Sequence, residues 1–136
     1  MVHATRTNER DRMTEARLRL GRIGERLACE HLSALGCSIV ARNCRTRFGE
    51  IDVVALDGDT LAFVEVKTAR AGAARGPERP ALAVGPRKQV QIRRLARAWL
   101  AENRAPQHRS LRFDVIGISL RAGCGPAEID YIPNAF

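Results

Sequence analysis

The stretch GEIDVVALDGDTLAFVEVK, Gly49 to Lys67, reads as two strands and the turn between them. Glu50–Leu56 and Leu61–Lys67 are rich in β-branched and apolar residues, and Asp57-Gly58-Asp59 supplies the turn chemistry of a hairpin. Apolar residues recur on both faces, with Ile51, Val53 and Ala55 on one strand and Ala62, Val64 and Val66 on its counterpart. Such strands predict a sheet covered on both sides.

Asp52, Glu65 and Lys67 interrupt this apolar pattern. Side chains alternate along a strand, so Glu65 and Lys67 share a face with Leu61 and Phe63. With Gly58-Asp59 at the centre of the turn, Asp57 pairs with Thr60 and Asp52 lies opposite Glu65. With Asp57-Gly58 at the centre, Asp52 lies opposite Phe63, one diagonal step away. Either register puts all three charged residues on one face, whereas a three-residue loop without a bulge would turn Asp52 away.

Two carboxylates facing each other across strands repel, by about 0.2–1 kcal/mol at an exposed site. A divalent cation converts that repulsion into ligation. Mg²⁺ needs only one or two protein carboxylates, and the backbone carbonyl of Val66 is a further candidate ligand. Lys67 is then one pleat away, where an ammonium can orient or deprotonate water, or neutralise charge developing on phosphorus. The alternative is a structural ion pair of Lys67 with Asp52 and Glu65, whose desolvation is rarely repaid in stability. Lys67 is one of only two lysines, the remaining 21 of the 23 basic residues being arginine. Keeping a compact ammonium here points to a role that the planar guanidinium does not fill.

Outward from the hairpin, residues 1–13 are polar and aperiodic and read as a mobile basic tail. A helix is expected from Thr14 to Leu35, with Thr14 as its cap and Gly36 as its C-terminal stop. Leu20, Ile23, Leu27, Leu32 and Leu35 form its apolar stripe. Ser38–Cys44 reads as a strand and Arg45–Gly49 as a basic turn. Residues 69–86, rich in Ala, Gly, Arg and Pro, read as a flexible basic loop. A second helix follows from Pro86 to Asn103, then a strand at Leu111–Leu120, a turn at Gly123–Pro126 and a short strand at Ala127–Ile132. The expected fold is α/β, a mixed sheet flanked by helices in the order α-β-β-β-α-β-β, with residues 14–136 forming one domain.

The net charge of +8 is concentrated. Nine basic residues and one acid lie between Lys67 and Arg97, which suggests a polyanionic partner, nucleic acid above all. Aromatic residues make up only 4%, which argues against a single-strand binder built on stacked rings. The first 22 residues contain no apolar run, and no stretch is long enough to span a bilayer, so a cytoplasmic protein without membrane attachment is expected. Cys29, Cys37, Cys44 and Cys124 lack CxxC spacing and read as reduced thiols, and His3, His31 and His108 are scattered.

Glu25 lies at the border of the first helix's apolar stripe, beside Gly21, Ala28 and Leu32. From there it either reaches the carboxylates or stays solvated. Lys88 continues the stripe of Ile92, Leu95, Ala96 and Trp99 at the start of the second helix, where the backbone favours phosphate. It either points into the site or snorkels over the core edge. Arg93, Arg94 and Arg97 are a solvated face or a backbone-tracking surface, and Arg45 and Arg47 a phosphate contact or a plain basic turn.

Gly49-Glu50-Ile51-Asp52, Phe63-Val64-Glu65-Val66-Lys67-Thr68 and Arg112-Phe113-Asp114-Val115, with Gly24-Glu25 and Asn134-Ala135-Phe136, make the chain resemble the YraN-like family of bacterial proteins. That family is similar to the PD-(D/E)xK nuclease superfamily, with its restriction-endonuclease-like core, and to archaeal Holliday-junction resolvases. The resemblance implies Asp52 and Glu65 as metal ligands for Mg²⁺ or Mn²⁺, Lys67 as catalytic lysine and Glu25 as the helix acid. The superfamily's proline before the aspartate is Ile51 here; it is not a ligand. The expected activity is endonucleolytic cleavage of DNA, including branched or damaged DNA, and a homodimer would suit paired strands. The alternatives are a non-catalytic nucleic-acid-binding protein that keeps the fold, and an assembly partner for an acidic protein.

Overall fold

The computed structural model describes residues 2–70, 81, 84–121 and 127–136, with backbone alone for 2–7. Its elements are α1 (Val2–Ala34), β1 (Ser38–Thr46), β2 (Gly49–Asp57), β3 (Thr60–Arg70), α2 (Pro86–Glu102), β4 (Ser110–Leu120) and β5 (Glu128–Ile132). The expected order is present, and the five strands form one mixed sheet in sequence order. β3 and β4 are parallel, joined through α2, and every other neighbouring pair is antiparallel.

The two helices cover opposite faces of the sheet. Ala28, Cys29 and Leu32 of α1 pack on Val53, Ala55 and Val64. Leu95, Ala96 and Trp99 of α2 pack on Val54, Leu61 and Phe63. The period-2 alternation of β2 and β3 therefore feeds two cores, one beneath each helix. Pro86 occupies the first turn of α2, where a missing N–H leaves no bond unmade. Gly36 ends α1 at φ +92°, donating to the Ser33 carbonyl while Cys37 donates to that of Leu32, a left-handed cap that suits glycine.

Several boundaries differ from those expected. α1 begins at Val2, and Thr14 lies in its interior, its hydroxyl donating to the Arg10 carbonyl instead of capping a start. Residues 2–13 are thus helical, where a tail was expected. The buried face of α1 runs through Gly24, Ala28 and Leu32, while Ile23 and Leu35 of the expected stripe are exposed. Gly24 explains the shift: a Cβ there would overlap Thr68 Oγ1, so only glycine lets the helix axis sit this close to β3. Arg45 and Thr46 belong to β1, pairing with Glu50 and Gly49, which shrinks the basic turn to Arg47-Phe48. Ala69 and Arg70 extend β3, and most of the loop expected over 69–86 lies outside the described residues, as do the turn at Gly123–Pro126 and Cys124. Cys29, Cys37 and Cys44 are free thiols.

Candidate functional site

The β2–β3 hairpin has the first of the two expected registers. Gly58, at φ +61°, and Asp59 form the turn, and Asp57 pairs with Thr60. The ladder continues to Val53↔Val64 and stops there, although β2 stays paired with β1 down to Gly49. β2 and β3 therefore fork at Asp52. Its Oδ2 accepts the Val66 N–H at 2.8 Å, so a side chain replaces the backbone acceptor that the departing strand withdraws. Strict alternation also breaks at the fork, because Ile51 packs beneath α2 with Val54 and not beneath α1 with Val53. In an extended strand the N–H and C=O of one residue point to the same side, so the Val66 carbonyl is directed toward β2 as well.

Glu65 stands beside this fork, its side chain only 8% exposed. Its Oε1 lies 3.4 Å from Lys67 Nζ and 3.3 Å from Lys88 Nζ. The two lysines of the chain thus converge on one carboxylate oxygen, Lys67 from the same strand and Lys88 from the first turn of α2. Burial first, and then the adjacent charge of Glu65, push the Asp52 carboxyl up to about 7 against the stabilising Val66 N–H. Glu25 adds a smaller push of the same sign, so α1 brings its acid within electrostatic reach of the fork. Burial also raises the Glu25 carboxyl; a hydrogen bond with the Asn43 side chain opposes this, and nearby Glu50 adds to it.

Asn43 sits on β1 between the Arg42↔Val53 and Cys44↔Ile51 pairs and takes a left-handed φ of 48°. That backbone form is one asparagine tolerates better than most residues. Arg17, Leu18, Gly21, Arg22 and Glu25 of α1, Asn43 of β1, Glu50 and Asp52 of β2 and Lys88 of α2 line an open cleft of about 510 Å³. Among the described residues, no three carboxylate, histidine or cysteine groups are close enough together to hold one metal ion. The arrangement is a two-carboxylate site with a carbonyl beside it.

The cationic residues expected to track nucleic acid are dispersed. The Arg94 and Arg47 guanidinium groups lie 4.0 and 4.7 Å from the centre of the Phe48 ring. Arg93 lies over Phe113 at 4.9 Å and Phe136 at 5.5 Å. These contacts hold the β1–β2 turn and the C-terminal residue against α2. Arg45 and Arg97 are exposed. Of the expected site residues, Glu25, Asp52 and Lys88 line the cleft, Glu65 and Lys67 stand beside it, joined through Lys88 and Asp52, and Arg45, Arg47, Arg93, Arg94 and Arg97 are not part of its lining.

The family model described as "Uncharacterised protein family UPF0102" matches residues 24–118. The chain belongs to the UPF0102 family. A UPF0102 protein of Acidothermus cellulolyticus is 46% identical over 130 residues, covering 89% of this chain and 96% of its own. One from Frankia casuarinae is 49% identical over 118 residues, covering 86% and 95%. One from Syntrophus aciditrophicus is 43% identical over 126 residues, covering 92% and 93%. This is the family to which the GEID and FVEVK motifs pointed. The matched UPF0102 span contains Glu25, Asp52, Glu65, Lys67 and Lys88, together with two cleft residues that the sequence reading passed over, Asn43 and Glu50. Glu50 carried a signal, two residues before Asp52 on the same strand; Asn43 carried none, because its role depends on a backbone irregularity. Arg17 and Arg22 were passed over because the helix was read from its apolar stripe.

Proposed function

We propose that the protein is a cytoplasmic, divalent-metal-dependent nuclease that hydrolyses phosphodiester bonds in DNA. The observation that carries this reading is the convergence of Asp52 and Glu65 at a fork in the sheet, with both lysines of the chain on Glu65 and an open cleft above. Two neighbouring carboxylates, one of them raised toward neutrality by burial and by the other's charge, form a donor set suited to a hard cation. Asp52, Glu65 and the Val66 carbonyl would hold Mg²⁺ or Mn²⁺. Such an ion supplies Lewis-acid polarisation of a phosphate oxygen and a more acidic water.

The chain's own residues divide the remaining work. Lys67, 32% exposed and beside Glu65, would offer an ammonium to a phosphate bound at the acid pair. Lys88 contributes a second positive charge from the N-terminal turn of α2. Glu25, made less acidic by burial, is suited to hold a proton or to order water at the α1 edge. No helix among the described residues is long and apolar enough to cross a membrane.

The test is incubation of the protein with duplex, flap, four-way-junction and single-stranded DNA in Mg²⁺ or Mn²⁺, beside Asp52→Ala and Lys67→Ala. Cleavage by the wild type and its loss in both variants is the expected result. Cleavage that persists in either variant, or none by the wild type on any substrate, overturns the reading. A second reading has one observation in its favour: Glu65 is already satisfied by two ammonium groups, so the acids and lysines are able to serve architecture alone in a nucleic-acid-binding protein. Salt-dependent DNA binding without cleavage would select it.

A further inference from the structure

Two glycines lie one turn apart in the interior of α1, where glycine is among the least favourable residues. Gly24 has a packing reason, since the Thr68 hydroxyl occupies the place a larger side chain would need. Gly21 has none, because nothing lies within 4 Å of a Cβ added there. Gly21 instead faces the cleft that holds Asp52 and Glu50.

The cleft-lining residues of α1 define one face of the helix. At about 100° per residue, Arg17 and Arg22 fall at its two borders, and Gly21, Leu18 and Glu25 fall between them. Neither arginine has an ion-pair partner within 4 Å among the described residues, unlike Arg26 beside Glu30 or Arg112 beside Asp114, although Arg22 is near enough to Glu25 to favour its ionised form. Lys88, paired with Glu65 at 3.3 Å, adds an ammonium to the same lining, and Glu25, Glu50 and Asp52 add carboxylates. The corridor therefore combines arginines and a lysine with three carboxylates, and Gly21 leaves helix backbone bare in its lining.

We infer that this corridor is a binding channel for a phosphodiester backbone. Gly21 leaves the width for the strand, and Arg17 and Arg22 hold its phosphates over about 7.5 Å of helix axis. Guanidinium groups suit this task because their planar donors engage phosphate oxygens in pairs. The inference rests on the nuclease reading for what the acids do to a bound phosphate, but binding is measurable without cleavage.

The experiment is fluorescence anisotropy of a fluorescein-labelled duplex and a labelled four-way junction in EDTA, over a series of salt concentrations, with thermal unfolding of each variant alongside. Gly21→Ala, which adds one methyl to that lining, is expected to melt higher than the wild type and to lose less affinity than a bulkier replacement. Gly21→Trp, whose Cβ meets no protein atom, is expected to melt within a few degrees of the wild type and lose at least about tenfold in affinity. Arg17→Ala and Arg22→Ala are each expected to reduce the slope of log affinity against log salt by about 1. Binding by Gly21→Trp as tight as that of the wild type, or no salt-dependent binding by the wild type, overturns the channel. The expected losses in a protein that never cuts DNA would keep the channel and sink the nuclease reading. A wild type and a Gly21→Trp that cut at the same rate would do the reverse.

Discussion

Asp52 Oδ2 accepts the Val66 N–H at 2.8 Å where β2 parts from β3, so one carboxylate both closes a gap in the sheet and belongs to the candidate site. Its raised pKa, near 7, has a direct consequence for stability. Between the ordinary aspartate range and about 7 the native state binds a proton that the unfolded chain has released, so stability falls as pH rises through this window. Asp52→Asn keeps an acceptor for Val66 and removes the titration. In metal-free buffer it is expected to flatten the decline and to exceed the wild type by on the order of 1–3 kcal/mol at pH 8. Urea denaturation at pH 5 and pH 8 measures this; parallel pH profiles for the two proteins would show that Asp52 is not the group responsible.

Mg²⁺ or Mn²⁺ is expected to act against that slope. Ions that bind the ionised pair stabilise the native state by mass action, and more strongly as pH rises. Thermal unfolding with and without Mn²⁺ should therefore differ at pH 8 and converge at pH 5. Asp52→Asn and Glu65→Gln should each abolish the difference, and a shift that persists in both would locate the ion elsewhere.

Gly24 is a steric requirement of the α1–β3 contact. Gly24→Ala drives a methyl into Thr68 and is expected to destabilise by about 1–3 kcal/mol. Because Thr68 follows Lys67 and Gly24 precedes Glu25, cleavage should fall by more than the stability loss accounts for. Thr68→Ser in the Gly24→Ala background frees the Cγ2 side of the clash only, so a partial recovery in denaturant midpoint is the expected reading.

Asp114 is fully buried and fully engaged: Arg112 donates to both its oxygens at 2.8 and 3.0 Å, Tyr131 Oη donates at 2.6 Å and the Asn134 N–H at 2.9 Å. Removing the cation leaves a buried carboxylate without its counter-charge. Arg112→Met is expected to cost about 3–5 kcal/mol, and Tyr131→Phe about 0.5–1.5 kcal/mol. Equal, small losses from the two variants in urea titrations would mean that water enters and replaces the guanidinium.

Much of this was legible in the chain because it is local. The register of the hairpin follows from one two-residue turn, and the cores beneath α1 and α2 follow from alternation over Val53–Leu56 and Leu61–Val66. The buried stripe of Ile92, Leu95, Ala96 and Trp99 follows from helical period. What escaped depends on tertiary contact or on broken regularity. The helix over residues 2–13 has no apolar period to announce it. The displaced face of α1 needs Thr68 to reveal it, and the left-handed Asn43 and the fork at Asp52 are departures from the pattern by which strands are read. Arg93 and Arg94 read as a solvated face or a backbone-tracking surface because the rings they cover, Phe48, Phe113 and Phe136, come from three distant points of the chain.

The two-residue turn at Gly58-Asp59 also bears on the order in which the molecule assembles. The β2–β3 hairpin closes a short loop, whereas the parallel β3–β4 ladder must wait for α2 to cross over, and closure grows slower with sequence separation. Asp52 and Glu65 therefore meet before Lys88 arrives to offset their charge. With Lys67 alone beside Glu65 at that stage, the acid pair's repulsion is expected to weigh on the folding barrier. Stopped-flow refolding in EDTA should accordingly slow as pH rises from 5 to 8 and recover in Asp52→Asn, so the residues assigned to chemistry would also set the pace of folding.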